Sequence, residues 1–516
     1  MRVNNIHRFL PWLLAFTLVT GCSSQTLSPG SASPAESSAP RSSAPLSSAV
    51  SASPSEVPSA ASAPGKTPSS PPAPTPSPTP ASTPSPTPAS TPTPVPVIKE
   101  MTVTVNLAET YQTFLGFGGN YCQVMYTGHA LDSIGQYTLE TLRPEYVRVP
   151  IPLNLWEPVN DNNSPTKANP DGFKKTAVLV ELFDMLQAMK EKYGVKNITA
   201  SIWEAAPWMV ESTEGSTGGI IPEGLYPEVA ESITTFLRYV RDNYGVEIDQ
   251  IGFNEPDIGT NVRMGAGEAV AFIRIAGPMM RKAGLKTKFL IGDVSQPLPT
   301  VSYAKTLLAE PSITEFLGPV SFHSWNSSSM SNAMLSTLRD FMATTDKLLL
   351  CGEFGYNPGL WKTPEEFPTW QNAWFLANLF YRTIKYSGAN VILYWELEND
   401  YPLMSADLKP YPAWHVMRQT FDALKPGSVL VDCQSEDETF LGTYAAKNNS
   451  GYFMMQLLNK RDKPVRVTVK GAPEGKLMVS VTQEDRYLAD GGINEPANGL
   501  RVLELPPKSM VTLSAP

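Results

Sequence analysis

The chain has 516 residues, 42% hydrophobic and 17% charged, enough to bury a large core, yet its 49 prolines are far too many for one globular body. A formal net charge of −9 offers no basic surface for nucleic acid and argues against tight electrostatic binding to anionic polymers. A neutral partner suits it better.

At the N-terminus, Arg2 and Arg8 accompany an apolar run from Phe9 to Val19, followed by Thr20-Gly21-Cys22. This is the layout of a signal peptide, and the run is too short to span a bilayer. The ending resembles the bacterial lipobox, which implies that Cys22 is lipidated and becomes the mature N-terminus. Residues 1–22 are then the leader, and the exported protein meets the cell membrane only through its lipid anchor, with the folded part on the outer face. Residues 23–98 are almost entirely Ser, Pro, Ala and Thr, including Pro72-Ala73-Pro74-Thr75-Pro76, and read as a disordered, partly polyproline linker. The cysteines at 22, 122, 351 and 433 leave an odd three once Cys22 is lipidated, so at most one disulfide can form. No cysteine spacing resembles a zinc site, and with only four histidines (7, 129, 323 and 415) neither a metal nor a cofactor is expected.

From Phe114 onward, short apolar runs alternate with helical patterns. Eight runs can be counted: 114–121, 146–150, 198–203, 248–253, 289–293, 320–323, 348–352 and 391–395. Between them lie stripes such as Leu179, Leu182, Phe183, Leu186 and Met189, or Val229, Ile233, Phe236, Leu237 and Val240. Both of these helices close on Tyr-Gly-Val, with the glycine (194 and 245) where a C-cap wants φ > 0. Continuous apolar strands joined by helices imply a parallel sheet covered on both sides, and eight of them predict a (β/α)8 TIM barrel over 99–425; a doubly wound open sheet is the runner-up. After Pro426-Gly427 the pattern alternates, as in Val465, Val467 and Val469, and predicts a small C-terminal antiparallel β-sandwich domain over 426–516, which the strand-like residues 99–112 can join.

In a barrel the reactive side chains come from the C-terminal strand ends. Those ends read Asn120, Arg148, Trp203-Glu204, Asn254-Glu255, Asp293, His323-Ser324-Trp325, Glu353 and Trp395-Glu396. Glu255 stops the fourth run, and Pro256 bars it from the α region, so an extended Glu255 is expected. Glu353 stops the seventh run, opposite the fourth in a barrel. Such a pair suits glycoside hydrolysis, in which one carboxyl protonates the leaving oxygen and the other attacks the anomeric carbon or activates water. Glu204 competes, being ten residues after its glycine just as Glu255 is. Glu396, Glu398 and Asp400 are read as mostly solvated or as subsite groups. Arg148 is either a structural ion-pair partner or a group that keeps a nucleophile ionised. Trp203, Trp208, Trp325 and Trp395 are core residues or a wall on which sugar faces stack.

The set Gly116-Phe117-Gly118-Gly119, Ser201 to Trp208-Met209, Asn254-Glu255-Pro256, His323, Glu353 and Lys425-Pro426-Gly427-Ser428 resembles clan A of the glycoside hydrolases, and within it family 30 most, over about Met101 to Pro516. The resemblance implies a barrel with a β side domain built from both ends of the catalytic region. It implies a retaining β-glycosidase in which Glu255 is acid/base, Glu353 the nucleophile and Asn254 a contact to the sugar 2-hydroxyl. In the clan a Tyr near the sixth strand often hydrogen-bonds the nucleophile, whereas the nearby position here is Trp325. Families 5 and 39 share the central motif and stay open. The expected partner is an oligo- or polysaccharide, and the expected state a monomer. The alternative class is a non-catalytic glycan-binding lipoprotein on the same barrel.

Overall fold

The structure, a computed structural model, describes residues 98–212, 218–259 and 262–516. The leader, Cys22 and the linker through residue 97 lie outside the described residues. Eight parallel strands pair in chain order: Gly116–Asn120, Tyr146–Pro150, Asn197–Ile202, Gln250–Phe253, Lys288–Val294, Leu317–His323, Leu349–Phe354 and Val391–Tyr394. The eighth closes on the first, with Val391 opposite Gly116, so the sheet is a closed barrel and not an open one. These strands coincide with the eight apolar runs to within a few residues. They lack alternation because they are buried on both faces, by helices outside and by packed side chains within.

The helix Ala177–Glu191 buries the stripe Leu179, Leu182, Phe183, Leu186 and Met189, and it starts where the Thr176 side chain accepts from Leu179 N. The turns after it and after Tyr226–Tyr244 use Gly194 and Gly245 at φ +72° and +70°, a region a side chain would strain. The first strand lies so close to the second that a Cβ at Gly118 would sit 1.6 Å from the Tyr146 carbonyl oxygen. Only glycine permits that approach.

A second sheet has nine strands in one continuous order: Arg486–Asn494, Leu477–Gln483, Ser509–Ser514, Phe453–Asn459, Leu441–Lys447, Ser428–Ser435, Lys99–Phe114, Val465–Lys470 and Leu500–Leu505. All neighbours are antiparallel except Lys99–Phe114 with Val465–Lys470. In the strand Phe453–Asn459, Phe453, Met455 and Leu457 enter the sheet's own apolar core, while Met454 and Leu458 on its other face join the core around the barrel. Gln419 of the helix Pro412–Ala423 pins this face by donating to Thr512 Oγ1 (2.9 Å) and the Ser480 carbonyl (3.1 Å). Among the described residues, Cys122, Cys351 and Cys433 are buried and unpaired, and no helix is long and apolar enough to cross a membrane.

Candidate active site

Five barrel strands deliver one buried charged network. Arg148, fully buried in the middle of the second strand, donates from Nη1 to Asn120 Oδ1 (2.9 Å) and Glu353 Oε1 (2.9 Å), and from Nη2 to Asn254 Oδ1 (2.7 Å) and Asp293 Oδ2 (2.7 Å). Its guanidinium also lies over the Trp203 ring, 4.2 Å from the centroid. Burial opposes the charge on Arg148, but Asp293 and Glu353 outweigh it and raise its pKa. Asp293 accepts from Ser201 Oγ and Ser321 Oγ (2.7 Å each), and Arg148 with His323 holds it well below the ordinary range in spite of burial.

His323 ends the sixth strand, with Nε2 3.2 Å from Asp293 Oδ1 and Nδ1 3.1 Å from Glu255 Oε1 and 3.4 Å from Glu353 Oε2. Burial alone would depress its pKa, but Glu353 and Asp293 raise it to about 10. Both ring nitrogens therefore carry protons at neutral pH and donate. Burial pushes Glu353 above the usual carboxylate range, against the downward pull of His323 and Arg148. Trp325 Nε1 donates to Glu353 Oε2 at 2.7 Å. With donors on both its oxygens, a proton on Glu353 would have to displace one, so we assign it the charge. The indole N–H thus takes the place of the hydroxyl that the resemblance implied.

Glu255 and Glu353 face one another across this network. One carboxylate oxygen of each and a His323 ring nitrogen all lie within 4.8 Å of one another. Both glutamates are largely buried, with side chains 12% and 5% exposed. Glu255 is not extended: its φ is +41°. Proline disfavours the right-handed region for its predecessor but leaves the left-handed one open, and here Glu255 N donates to the Asp293 carbonyl while its own carbonyl accepts from Gly259 N. Beside the pair, Trp203, Trp325, Trp395 and Tyr401 form a buried apolar cluster, each at most 7% exposed and so core residues more than an open wall, with Trp203 and Trp395 centroids 5.9 Å apart and Trp325 6.4 Å from Trp395.

The remaining candidates lie elsewhere. Trp208 packs against the barrel core, its Nε1 donating to the Glu157 carbonyl at 2.8 Å. Glu204 is exposed and takes a hydrogen bond from Asn154. Glu396 and Glu398 are not solvated: both are fully buried. Their segment folds inward over Gln123, whose side chain donates to Glu396 and whose backbone N donates to Glu398 Oε2 at 2.9 Å, and burial raises both carboxyls well above the usual range. Asn120 and Asp293, both noted as strand ends, were not singled out as site residues. The signal was their position, since each ends a strand beside one that carries a named candidate.

No family model matches the chain. Solved structures do. A GH30 endoxylanase from Clostridium papyrosolvens C71 superposes with a TM-score of 0.64 at 18% identity, over 80% of this chain and 99% of that one. A glycoside hydrolase family 30 subfamily 8 xylanase from Clostridium acetobutylicum gives 0.63 at 18%, over 80% and 98%. This is the fold of family 30 in clan A. An endo-β1,6-glucanase also superposes, with a TM-score of 0.55 at 15% identity over 81% of this chain and 95% of that one, so proteins of similar fold act on more than one glycan.

Proposed function

We propose that this protein is a retaining β-glycosidase acting on a neutral or weakly charged glycan. The observation that carries this reading is the close approach of Glu255 and Glu353. Carboxyls about 5 to 5.5 Å apart suit a covalent intermediate, whereas an inverting enzyme leaves about 6.5 to 9.5 Å for a water. Glu353 attacks C1 of the sugar as the glycosidic C1–O bond breaks, and the proton of Glu255 passes to the departing oxygen. A water then attacks C1 and gives its proton to Glu255, and the Glu353–sugar ester breaks to restore the carboxylate. Arg148, His323 and Trp325 orient Glu353, while Arg148 grips the Asn254 amide oxygen and leaves its NH2 as a donor for the sugar 2-hydroxyl.

The test is product analysis on a panel of aryl β-glycosides and β-glycans. Turnover with retention of the β configuration is expected. No turnover with sugar still bound would instead indicate a glycan-binding protein. Residues 396–407 contain no basic side chain that could pair with a glucuronate branch, so decorated and plain xylan should be handled alike. Strict dependence on the branch would overturn that part.

The anchor at Cys22 is part of the same proposal, resting on the lipobox resemblance and the proline-rich stretch after it. Cys22→Ser should move the protein from the membrane fraction to the soluble fraction at unchanged specific activity. Membrane retention of that variant would refute the anchor.

A further inference from the structure

Four carboxylates gather where the loop after the second barrel strand meets the helix after the third. Glu157 caps the short helix Leu153–Trp156, Asp161 follows four residues later, and Glu228 and Glu231 start the helix Tyr226–Tyr244. One carboxylate oxygen each from Asp161, Glu228 and Glu231 lie within 4.8 Å of one another. Glu157 is 1% exposed, Glu231 4% and Glu228 8%.

The hydrogen bonds present hold one side of the cluster. Asp161 N donates to Glu157 Oε1 at 3.0 Å, and Asn162 Nδ2 (2.9 Å) and Asn169 N both donate to Asp161 Oδ2. The opposite oxygens, Glu157 Oε2, Asp161 Oδ1 and Glu228 Oε2, are buried without a hydrogen bond of good geometry, although the Ser232 hydroxyl lies near enough to Glu157 to favour its charged form. The charges acting on Glu231 are those of Asp161, Glu228 and Glu157, and on Glu228 that of Asp161, all of one sign. Burial first, and then this crowding, push Glu157 and Glu231 up to about 7. Crowded like charges without a counterion are unfavourable, and here three of the four carboxylates each keep a buried oxygen without a good hydrogen bond.

We propose that Glu157, Asp161, Glu228 and Glu231 bind a divalent cation of the calcium type. The donors are all hard oxygens, with no His or Cys that would favour zinc or a softer metal, and several carboxylates on an irregular loop suit the large, flexible shell of calcium. The cation would fasten the loop from 157 to the start of Ala177–Glu191 onto the helix Tyr226–Tyr244. The Glu157 carbonyl also holds the Trp208 indole, so the same ion would steady the segment that begins at Trp203. None of the four residues touches Glu255 or Glu353, so the site is separate from the proposed chemistry.

The test uses full-length protein stripped with EGTA, titrated with terbium under tryptophan excitation and then with calcium, alongside melting curves. We expect one saturable terbium site displaced by calcium, and a Tm raised by several degrees in calcium. Asp161→Asn and Glu231→Gln should each weaken calcium binding at least tenfold. Their Tm in EGTA should hold or rise, because each removes one of the crowded like charges. Equal Tm in calcium and EGTA with no terbium signal would overturn the proposal. So would a calcium effect that survives in the double variant, which would place the ion elsewhere, or magnesium acting as well as calcium.

Discussion

Glu353→Gln should abolish turnover of every substrate, on the order of 10^4- to 10^6-fold in kcat, because no other group can form the covalent bond to C1. Glu255→Ala should behave differently. Aryl glycosides whose leaving group needs no proton should still complete the first step, while loss of the base slows the second by about 10^2- to 10^4-fold. The enzyme then accumulates as a glycosyl ester, seen as a burst of phenol and as an added sugar mass on the protein. Azide entering the space left by Glu255 should release that ester as the β-glycosyl azide. In Glu353→Ala, azide should attack from the other face and give the α product. The opposite pattern would exchange the two roles. Rescue of neither variant would remove the pair from the chemistry and return attention to Glu204.

Arg148→Met should cost both activity and stability. Its guanidinium satisfies Asn120, Asn254, Asp293 and Glu353 at once, with no water access to replace it. Removing it leaves two carboxylates buried with His323 as their remaining cation, and breaking such a pair costs roughly 3–5 kcal/mol. Lysine would restore charge but not the fork, since one ammonium cannot span donors to four acceptors on different strands. Arg148→Lys should therefore recover part of the denaturation midpoint while kcat stays low. A midpoint within about 0.5 kcal/mol of the parent for Arg148→Met, the range of ordinary surface changes, would show that the network is not structural.

The barrel was legible because period and length carry the signal: eight short unbroken apolar runs alternate with stripes spaced for helices. The strand ends were legible for the same reason, and they delivered Arg148, Asn254, Glu255, His323, Trp325 and Glu353 to one place. What failed depended on three-dimensional detail. Pro256 excludes one backbone region and cannot choose between the others, so Glu255 was expected extended and is left-handed. Three acidic residues in five looked like a solvated loop, and nothing in the order Glu396-Leu397-Glu398 tells that Gln123, far earlier in the chain, would draw both carboxyls inside. Trp208 sat among aromatic neighbours in sequence, but its indole N–H found a carbonyl outside the cluster.

The strand Lys99–Phe114 lies near the start of the described chain, yet its hydrogen-bonding neighbours are Ser428–Ser435 and Val465–Lys470. One contact across that seam, Thr102 N to Glu436 Oε2, spans 334 positions. Closing so long a loop must precede any gain from pairing, so we expect the side sheet to form late in folding, after the locally connected strand and helix units. Until the last quarter of the chain has been synthesised, Lys99–Phe114 is an edge without a partner, the kind of surface that joins other chains. Truncations inside the C-terminal sheet should therefore fail by aggregation, even though every residue proposed for catalysis would still be present.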